Sequence, residues 1–518
     1  MSITTLSATT AAPAAPILAR SVTWKSAFVV SLGGALLIAT SLGAIAGDLG
    51  PASVFVWSLI VGIGILQCLM VAEMASMYPN KSGGTAVYTH EAFRKWPIVG
   101  AIANWGYWCG WIPTIPVNLI VAAGYLKSFV PHLTDTQVLI AAIGMAVFLY
   151  AVNYVGLKPG IWSSGIMAVC AIGPMAVIIL SPVFHPSLFH SGNLFPFKPL
   201  NGSWHSHASW MLMFKWMFVA LWSAYSIESA STTIAEFKDP HRDAPKAMTA
   251  ASIGGFIAYA VLPFIMLGIV GVTVLTQDAS VAFLPAAQAI FGHVGGIIVS
   301  VMLITALLLG VQTTIIGSSR SMYQMTHDGQ MIKQFGVINK FGVPVGSMLV
   351  DAAVTIAMLA LFKNNVVNLI AASNVGYLIV WLLVLPAYVI LRRTRPNAVR
   401  TFKLPGFFVP LAVVITVFNA FLLFAGGLQW DATPVATIHL FGHPFNLLII
   451  PIGSAIMLLF VPFYFYRRLV QDRRPTLTFS SGSAGPGLPE LQEGDDDLGG
   501  RREVIHHEGW TPKGDEAG

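Results

Sequence analysis

The residues best equipped to do chemistry lie in one apolar run, 211–236, which reads MLMFKWMFVALWSAYSIESASTTIAE. Its first half is long and apolar enough for half of a membrane-spanning helix. Trp222-Ser223-Ala224-Tyr225-Ser226-Ile227 then brings in small and hydroxyl-bearing residues, and Glu228 follows at the depth of a bilayer. A carboxylate there costs about 2.5–3.5 kcal/mol on insertion scales, so it must face protein, water or a partner. Serine weakens the commitment to helix while its hydroxyl can satisfy backbone groups set free. Irregular backbone at such depth is tolerated where it lines a cavity. The stretch is therefore expected at the heart of a binding site.

A second interruption is expected in Ser31-Leu32-Gly33-Gly34-Ala35-Leu36. Adjacent glycines in a membrane helix serve close packing through small residues. They also permit a backbone break whose bare amides hold an anion, helped by the positive end of the half-helix that follows. Position favours the break. One interruption falls in the first apolar span and the other in the sixth, and paired broken helices mark an inverted-repeat transporter site near the membrane midplane.

The elements that must carry these residues follow from composition. Apolar residues make up 55% of the 518 residues and charged residues 10%, against about 45–50% and about 25% in soluble domains. With a mean hydropathy of +0.73, a polytopic membrane protein is expected. About 20 apolar residues cross the hydrocarbon core, which gives twelve spans near 27–47, 52–77, 98–126, 137–155, 160–181, 211–235, 248–274, 295–325, 344–362, 366–391, 407–427 and 446–466. Residues 281–291 are apolar but too few to cross, and read as a re-entrant or interfacial piece. With the N-terminus in the cytosol, 24 of the 28 lysines and arginines fall on the cytosolic side, as the positive-inside rule requires. Only Lys127, Lys198, Lys215 and Lys363 fall elsewhere. Both termini are then cytosolic, in a multi-pass protein of the cell membrane.

Several motifs stand in a fixed order along the chain. Gly33-Gly34-Ala35 precedes Gly50-Pro51. Ala72-Glu73-Met74 leads to Tyr78-Pro79, Gly83-Gly84 and Tyr88. The run from Trp222 to Ala230 leads to Glu236-Phe237-Lys238-Asp239-Pro240, Arg242 and Pro245-Lys246-Ala247. Ser319-Arg320, Tyr323, Asp328-Gly329 and Gly342-Val343-Pro344 complete the series. In this order and spacing the chain resembles the amino acid–polyamine–organocation (APC) permease superfamily over most of residues 25–391. The resemblance implies an all-α membrane protein with a leucine-transporter-like core of two inverted five-helix repeats, 25–181 and 211–391. Around it lie a cytosolic tail (1–24), an external loop (182–210), two terminal helices (392–466) and a second, disordered cytosolic tail (467–518).

The resemblance also implies a site. A substrate carboxylate would sit on the amides of Gly33, Gly34 and Ala35, and its ammonium on carbonyls of residues 220–223, with Ser223, Ala224 and Tyr225 beside it. Half-helix polarity places donors and acceptors the same way. Trp222 is the candidate aromatic gate, because an indole stacks on apolar groups and on cations. Glu228 would lie at the inner edge as a proton-coupling group or proximal gate; the alternative is a permanent hydrogen bond between helices. Thr114 and Thr314 are candidate pocket residues, though hydroxyls in membrane helices often cap their own carbonyls. Glu73 is expected to anchor the inner loop near Arg320, Asp351 to be a satisfied structural carboxylate, and the 392–403 basic cluster to be topology charge. The lysine that several relatives carry in the fifth span is absent from Val169-Cys170-Ala171-Ile172. Thr314 and Ser318 are then candidates for a sodium site, or the protein exchanges substrates.

The expected function is secondary active transport of amino acids by alternating access, proton-coupled or exchanging, with H+ and Na+ as candidate coupling ions and no cofactor. A neutral or aromatic substrate is favoured because the pocket offers no carboxylate beyond Glu228. A polyamine or cationic amino acid permease is the alternative, and a non-transporting nutrient sensor on the same fold is the alternative of another class. The expected partners are the small-molecule substrate and the lipid bilayer, without nucleic acid. An enzyme would need paired catalytic groups or metal ligands within the spans, and a channel would need rings of charge; neither pattern is present. Cys68, Cys109 and Cys170 lie in apolar spans and read as core. The histidines at 185, 190, 205 and 207 read as parts of a solvated, proline-broken loop.

Overall fold

The computed structural model describes residues 23–473 except 26, 29–33, 80–83, 157–160, 278–280, 364, 433, 435 and 441–442. Sixteen α-helices lie among the described residues. They are α1 (Leu42–Leu49), α2 (Ser53–Met77), α3 (Thr85–Ala92), α4 (Pro97–Trp111), α5 (Thr114–Gly124), α6 (Asp135–Tyr154), α7 (Ile161–Phe184) and α8 (His207–Ala224). The rest are α9 (Pro240–Phe256), α10 (Leu262–Leu275), α11 (Phe283–His327), α12 (Val345–Phe362), α13 (Val366–Thr394), α14 (Phe408–Phe421), α15 (Ile449–Leu458) and α16 (Phe460–Tyr466).

Local chemistry explains where several of them start. Thr134 and Gln137 form a reciprocal capping box at α6, satisfying two otherwise orphaned donors. Asp239 accepts from the Arg242 amide ahead of Pro240 at α9, and Asn365 accepts from the Asn368 amide at α13. Within α11 the helix breaks at Gly292, whose φ of +69° is open to glycine at no steric cost. The break sets the short apolar piece read at 281–291 apart from the span that follows it.

Ten helical stretches among the described residues are long and apolar enough to cross a membrane, or eleven if the bent pair Ala168–Phe184 and Pro186–Asn193 counts as one. The shortfall from twelve arises at the first span, whose α1 runs on into α2 as one stretch, Leu42–Met77, and at the fifth, which enters only as the bent pair. Residues 29–33 of the first span lie outside the described set, and its outer half, α1, has only eight residues. Outward faces carry exposed Ile140, Val147 and Phe148 on α6 and Val413, Val414 and Val417 on α14, the reverse of a water-soluble surface and the pattern a bilayer requires. One element was not foreseen. Between α14 and α15 an antiparallel hairpin pairs Ala436–Leu440 with His443–Leu447. It is too short for alternation to mark it in the sequence. Residues 1–22 and 474–518, the acidic run included, lie outside the described residues. The first residues of the tail expected to be disordered from 467 are instead ordered, since Arg467–Gln471 continue the last helix and Arg467 pairs with Asp472 at 2.9 Å.

The segment from α7 to the start of α8 leaves His185, His190, His205 and His207 exposed, and hydrogen bonds also tie it to neighbouring helices. The His190 amide and the Asn193 side chain both donate to the Gly268 carbonyl of α10, and the Leu200 amide donates to the Leu49 carbonyl that ends α1. Among the described residues no group of histidine, cysteine and carboxylate side chains could hold a metal ion.

The ends of α2, α3 and α13 are tied together by buried charge. Glu73 takes two bonds of 2.8 Å from Arg392, one from the Tyr388 hydroxyl at 3.1 Å and one from the Leu404 amide at 3.0 Å, with Arg400 at 3.4 Å. Glu91 meets Arg94 and Arg395. The partner of Glu73 is thus Arg392 and not Arg320, which is exposed. The 392–403 cluster is consequently more than topology charge: it clamps α13 to α2 and α3.

Candidate functional site

Both expected interruptions involve a change of helix type. In the first span a 3-10 helix occupies Gly34–Thr40, Ser41 has φ −135° and ψ −6°, and α1 begins at Leu42. Gly33 lies outside the described residues; Gly34 and Ala35 open the 3-10 segment, where amides lack partners within the element. In the sixth span α8 ends at Ala224 and a 3-10 stretch of twelve residues, Tyr225–Glu236, continues the chain. Runs of 3-10 helix beyond three or four residues are uncommon and mark hinges or strain. Gly64 of α2 backs this change. A Cβ there would lie 2.7 Å from the Ala224 carbonyl oxygen, so only glycine lets α2 approach.

The two irregular stretches pack on each other. Ser223 Oγ donates to the Leu37 carbonyl at 3.3 Å, and Ser226 Oγ donates to the Ser223 carbonyl at 2.5 Å. Small hydroxyls therefore complete the bonding where the α ladder stops, as serine does in membrane helices.

Around this crossing α4 and α13 supply two tiers of polar contacts. In one tier the Gly110 carbonyl accepts from Trp222 Nε1 at 2.8 Å and from Ser373 Oγ at 3.0 Å. In the other, Glu228 Oε1 accepts from the Tyr107 hydroxyl at 3.2 Å and the Tyr377 hydroxyl at 3.5 Å, while Oε2 accepts from Ser231 Oγ at 3.0 Å. Tyr107 stands three residues before Gly110, and Tyr377 stands four after Ser373. One turn of each helix thus spans both tiers. Glu228, Ser223 and Ala224 are fully buried, and Trp222 is 3% exposed. The carboxylate is desolvated, held by three hydroxyls, and joins spans that are far apart in sequence.

The candidate residues divide into two groups. Trp222, Ser223 and Glu228 converge with the first span, α4 and α13. Thr114 opens α5, which packs against Gly34–Thr40 and α11; its hydroxyl is buried without a partner. Tyr225 turns away, its hydroxyl donating to Asn419 of α14 at 3.0 Å and its ring meeting Trp381 edge-on. Thr314 caps its own helix through the Gly310 carbonyl at 2.9 Å. Ser318 Oγ is committed to Asp351 Oδ2 at 2.5 Å, and Trp108 Nε1 donates to Oδ1 of the same carboxylate at 2.9 Å. Asp351 is accordingly a buried bridge between α4, α11 and α12. Tyr107, Ser373 and Tyr377 escaped the sequence reading. They carry no spacing signal, and only the fold brings them to residues 222–228.

Comparison with known proteins agrees with this architecture. The sequence matches the family model described as "Amino acid permease" over residues 22–461. It is 21% identical to the D-serine/D-alanine/glycine transporter of Escherichia coli K12, over 78% of this chain and 90% of that one. It is 23% identical to the aromatic amino acid transport protein AroP of Salmonella typhimurium, over 82% of this chain and 92% of that one. In fold it is similar to the manganese transporter of Eremococcus coleocola, with a TM-score of 0.52 and 14% identity, covering 88% of this chain and 96% of that one. Since the family match spans well over half of its length, the chain belongs to the amino acid permease family of the APC superfamily.

Proposed function

We propose that this permease moves a neutral amino acid across the cell membrane by alternating access, with both termini in the cytosol and a core of two inverted five-helix repeats, 25–181 and 211–391. Twelve spans complete that plan, the last two lying outside the repeats. The observation that carries the reading is the contact between the two interrupted spans, where Ser223 Oγ meets the Leu37 carbonyl beside the change from α to 3-10 helix. Backbone amides at the start of Gly34–Thr40 suit a carboxylate, and carbonyls at the end of α8 suit an ammonium. A zwitterion satisfies both.

In this reading Trp222 closes over the substrate while held by Gly110, and Glu228 changes partners as α4 and α13 move relative to the sixth span. Proton coupling through Glu228 and substrate exchange are both compatible with that geometry. Sodium coupling at Thr314 and Ser318 is the alternative: Ser318 Oγ donates to Asp351, and a hydroxyl that donates keeps lone pairs for a cation.

Purified protein in liposomes is expected to accumulate at least one radiolabelled neutral amino acid in a saturable manner. Substituting Ser223→Ala removes the bond to Leu37, and loss of one such bond is worth about 1 kcal/mol, or roughly fivefold in apparent KM. Folded protein that accumulates no amino acid under any gradient or counter-substrate would overturn the proposal.

A further inference from the structure

One face of α5 carries two polar groups that the scheme above leaves without a partner. Thr114 and Asn118 are four residues apart, which puts them on the same side of a helix one turn from each other. They are 4% and 5% exposed. Neither Thr114 Oγ1 nor Asn118 Oδ1 has a hydrogen-bond partner. Buried polar side-chain atoms are rarely left so, because each forfeits its hydration without return. The helix carrying them packs against Gly34–Thr40 of the first span on one side and α11 on the other. On α11 Asn118 faces bare backbone: a Cβ at Gly310 would lie 3.5 Å from its Nδ2. The Gly310 carbonyl already accepts from Thr313 and Thr314, and as an acceptor it could offer Asn118 Oδ1 no donor.

We infer that Thr114 and Asn118 form the side-chain subsite of the transport site, and that the substrate is a small amino acid with an uncharged hydrogen-bonding side chain. The inference rests on the amino acid transport proposed above and sharpens it. Asn118 Oδ1 accepts a donor from the substrate side chain, and Thr114 Oγ1 either gives or takes a second bond. Both groups are neutral, so a charged side chain placed against them would be desolvated without compensation. An aliphatic or aromatic side chain would leave both polar groups as bare as they stand now. Discrimination of this kind is strong. A site built to hydrogen-bond a substrate group rejects analogues lacking it far more sharply than an apolar pocket separates neighbours in size.

The test is competition in proteoliposomes, using isosteric pairs against uptake of the transported amino acid: serine with alanine, threonine with valine, asparagine with leucine. The wild-type protein is expected to prefer the polar member by about tenfold or more in inhibition constant. Asn118→Leu should bring the asparagine/leucine ratio to near one or reverse it, with maximal rate less affected than apparent KM. Thr114→Val should act on the serine/alanine and threonine/valine pairs, and it serves as the second variant if Asn118→Leu does not fold. The wild-type ratios decide the matter alone if neither variant folds. Equal inhibition by both members of each pair, or preference for the apolar one, overturns the inference while leaving amino acid transport standing. Absence of any amino acid uptake overturns the transport proposal, and this inference with it.

Discussion

Replacing Glu73 with alanine should destabilise the protein by about 3–5 kcal/mol, the range measured when one partner of a buried ion pair is removed. The Glu73 side chain is 1% exposed, Arg392 12% and Arg400 5%. Arg392 forks onto both carboxylate oxygens, a geometry that adds direction to charge. Its Nη2 also donates to the Leu404 carbonyl, while the Leu404 amide returns a bond to Glu73. Truncation therefore leaves two guanidinium groups crowded together without a counter-charge, plus a buried amide and a tyrosine hydroxyl without an acceptor. Glu73→Gln keeps the shape and some of the bonds and should cost less. Thermal unfolding of the detergent-solubilised protein reads both. A melting temperature for Glu73→Ala within a degree of wild type would mean that water replaces the carboxylate and that the clamp between α2 and α13 is not structural.

Replacing Trp222 with alanine should have the largest effect on transport. The indole is 3% exposed, and loss of a buried tryptophan or phenylalanine side chain costs about 3–5 kcal/mol in packing. The same change frees the Gly110 carbonyl from one of its two donors. Uptake should fall by at least tenfold, accompanied by a lower melting temperature. Trp222→Phe separates the two causes, because it keeps an aromatic ring but cannot donate. It should retain most of the stability, with apparent KM raised roughly fivefold, as expected for one hydrogen bond worth about 1 kcal/mol. Wild-type kinetics in both variants would remove Trp222 from the gate.

Much of this framework was legible in the sequence because a bilayer imposes a length and a polarity on each crossing. The run at 52–77 became Ser53–Met77 and that at 344–362 became Val345–Phe362, since about 20 apolar residues admit few alternatives. The interruption at 222–227 was legible because serines and a carboxylate at that depth are costly anywhere but in a protein-lined setting. The change falls at Ala224–Tyr225.

Side-chain direction was not legible. A switch from α to 3-10 helix alters the angle between successive residues, and so Tyr225, placed beside the substrate by motif order, points to Asn419 instead. Nor could Arg392 be assigned to Glu73, 319 residues away. Sequence supplies the charge of a partner, and the fold chooses which one. Tyr107 and Tyr377 were hidden for the same reason. The Thr314 hydroxyl shows the converse case, a polar group inside an apolar helix that is satisfied within its own turn, while Ser318 finds its partner, Asp351, on the next helix.

The central claim is that the substrate occupies the crossing of the first and sixth spans. The most direct measurement is thiol modification of a Ser223→Cys variant in cycling proteoliposomes, where alternating access must open the buried site, in a background where Cys68, Cys109 and Cys170 are all changed to serine. Saturating transported amino acid should slow the modification at least tenfold and leave the melting temperature unchanged or raised by binding. An unaltered modification rate at a substrate concentration that saturates uptake in the same vesicles would contradict the account.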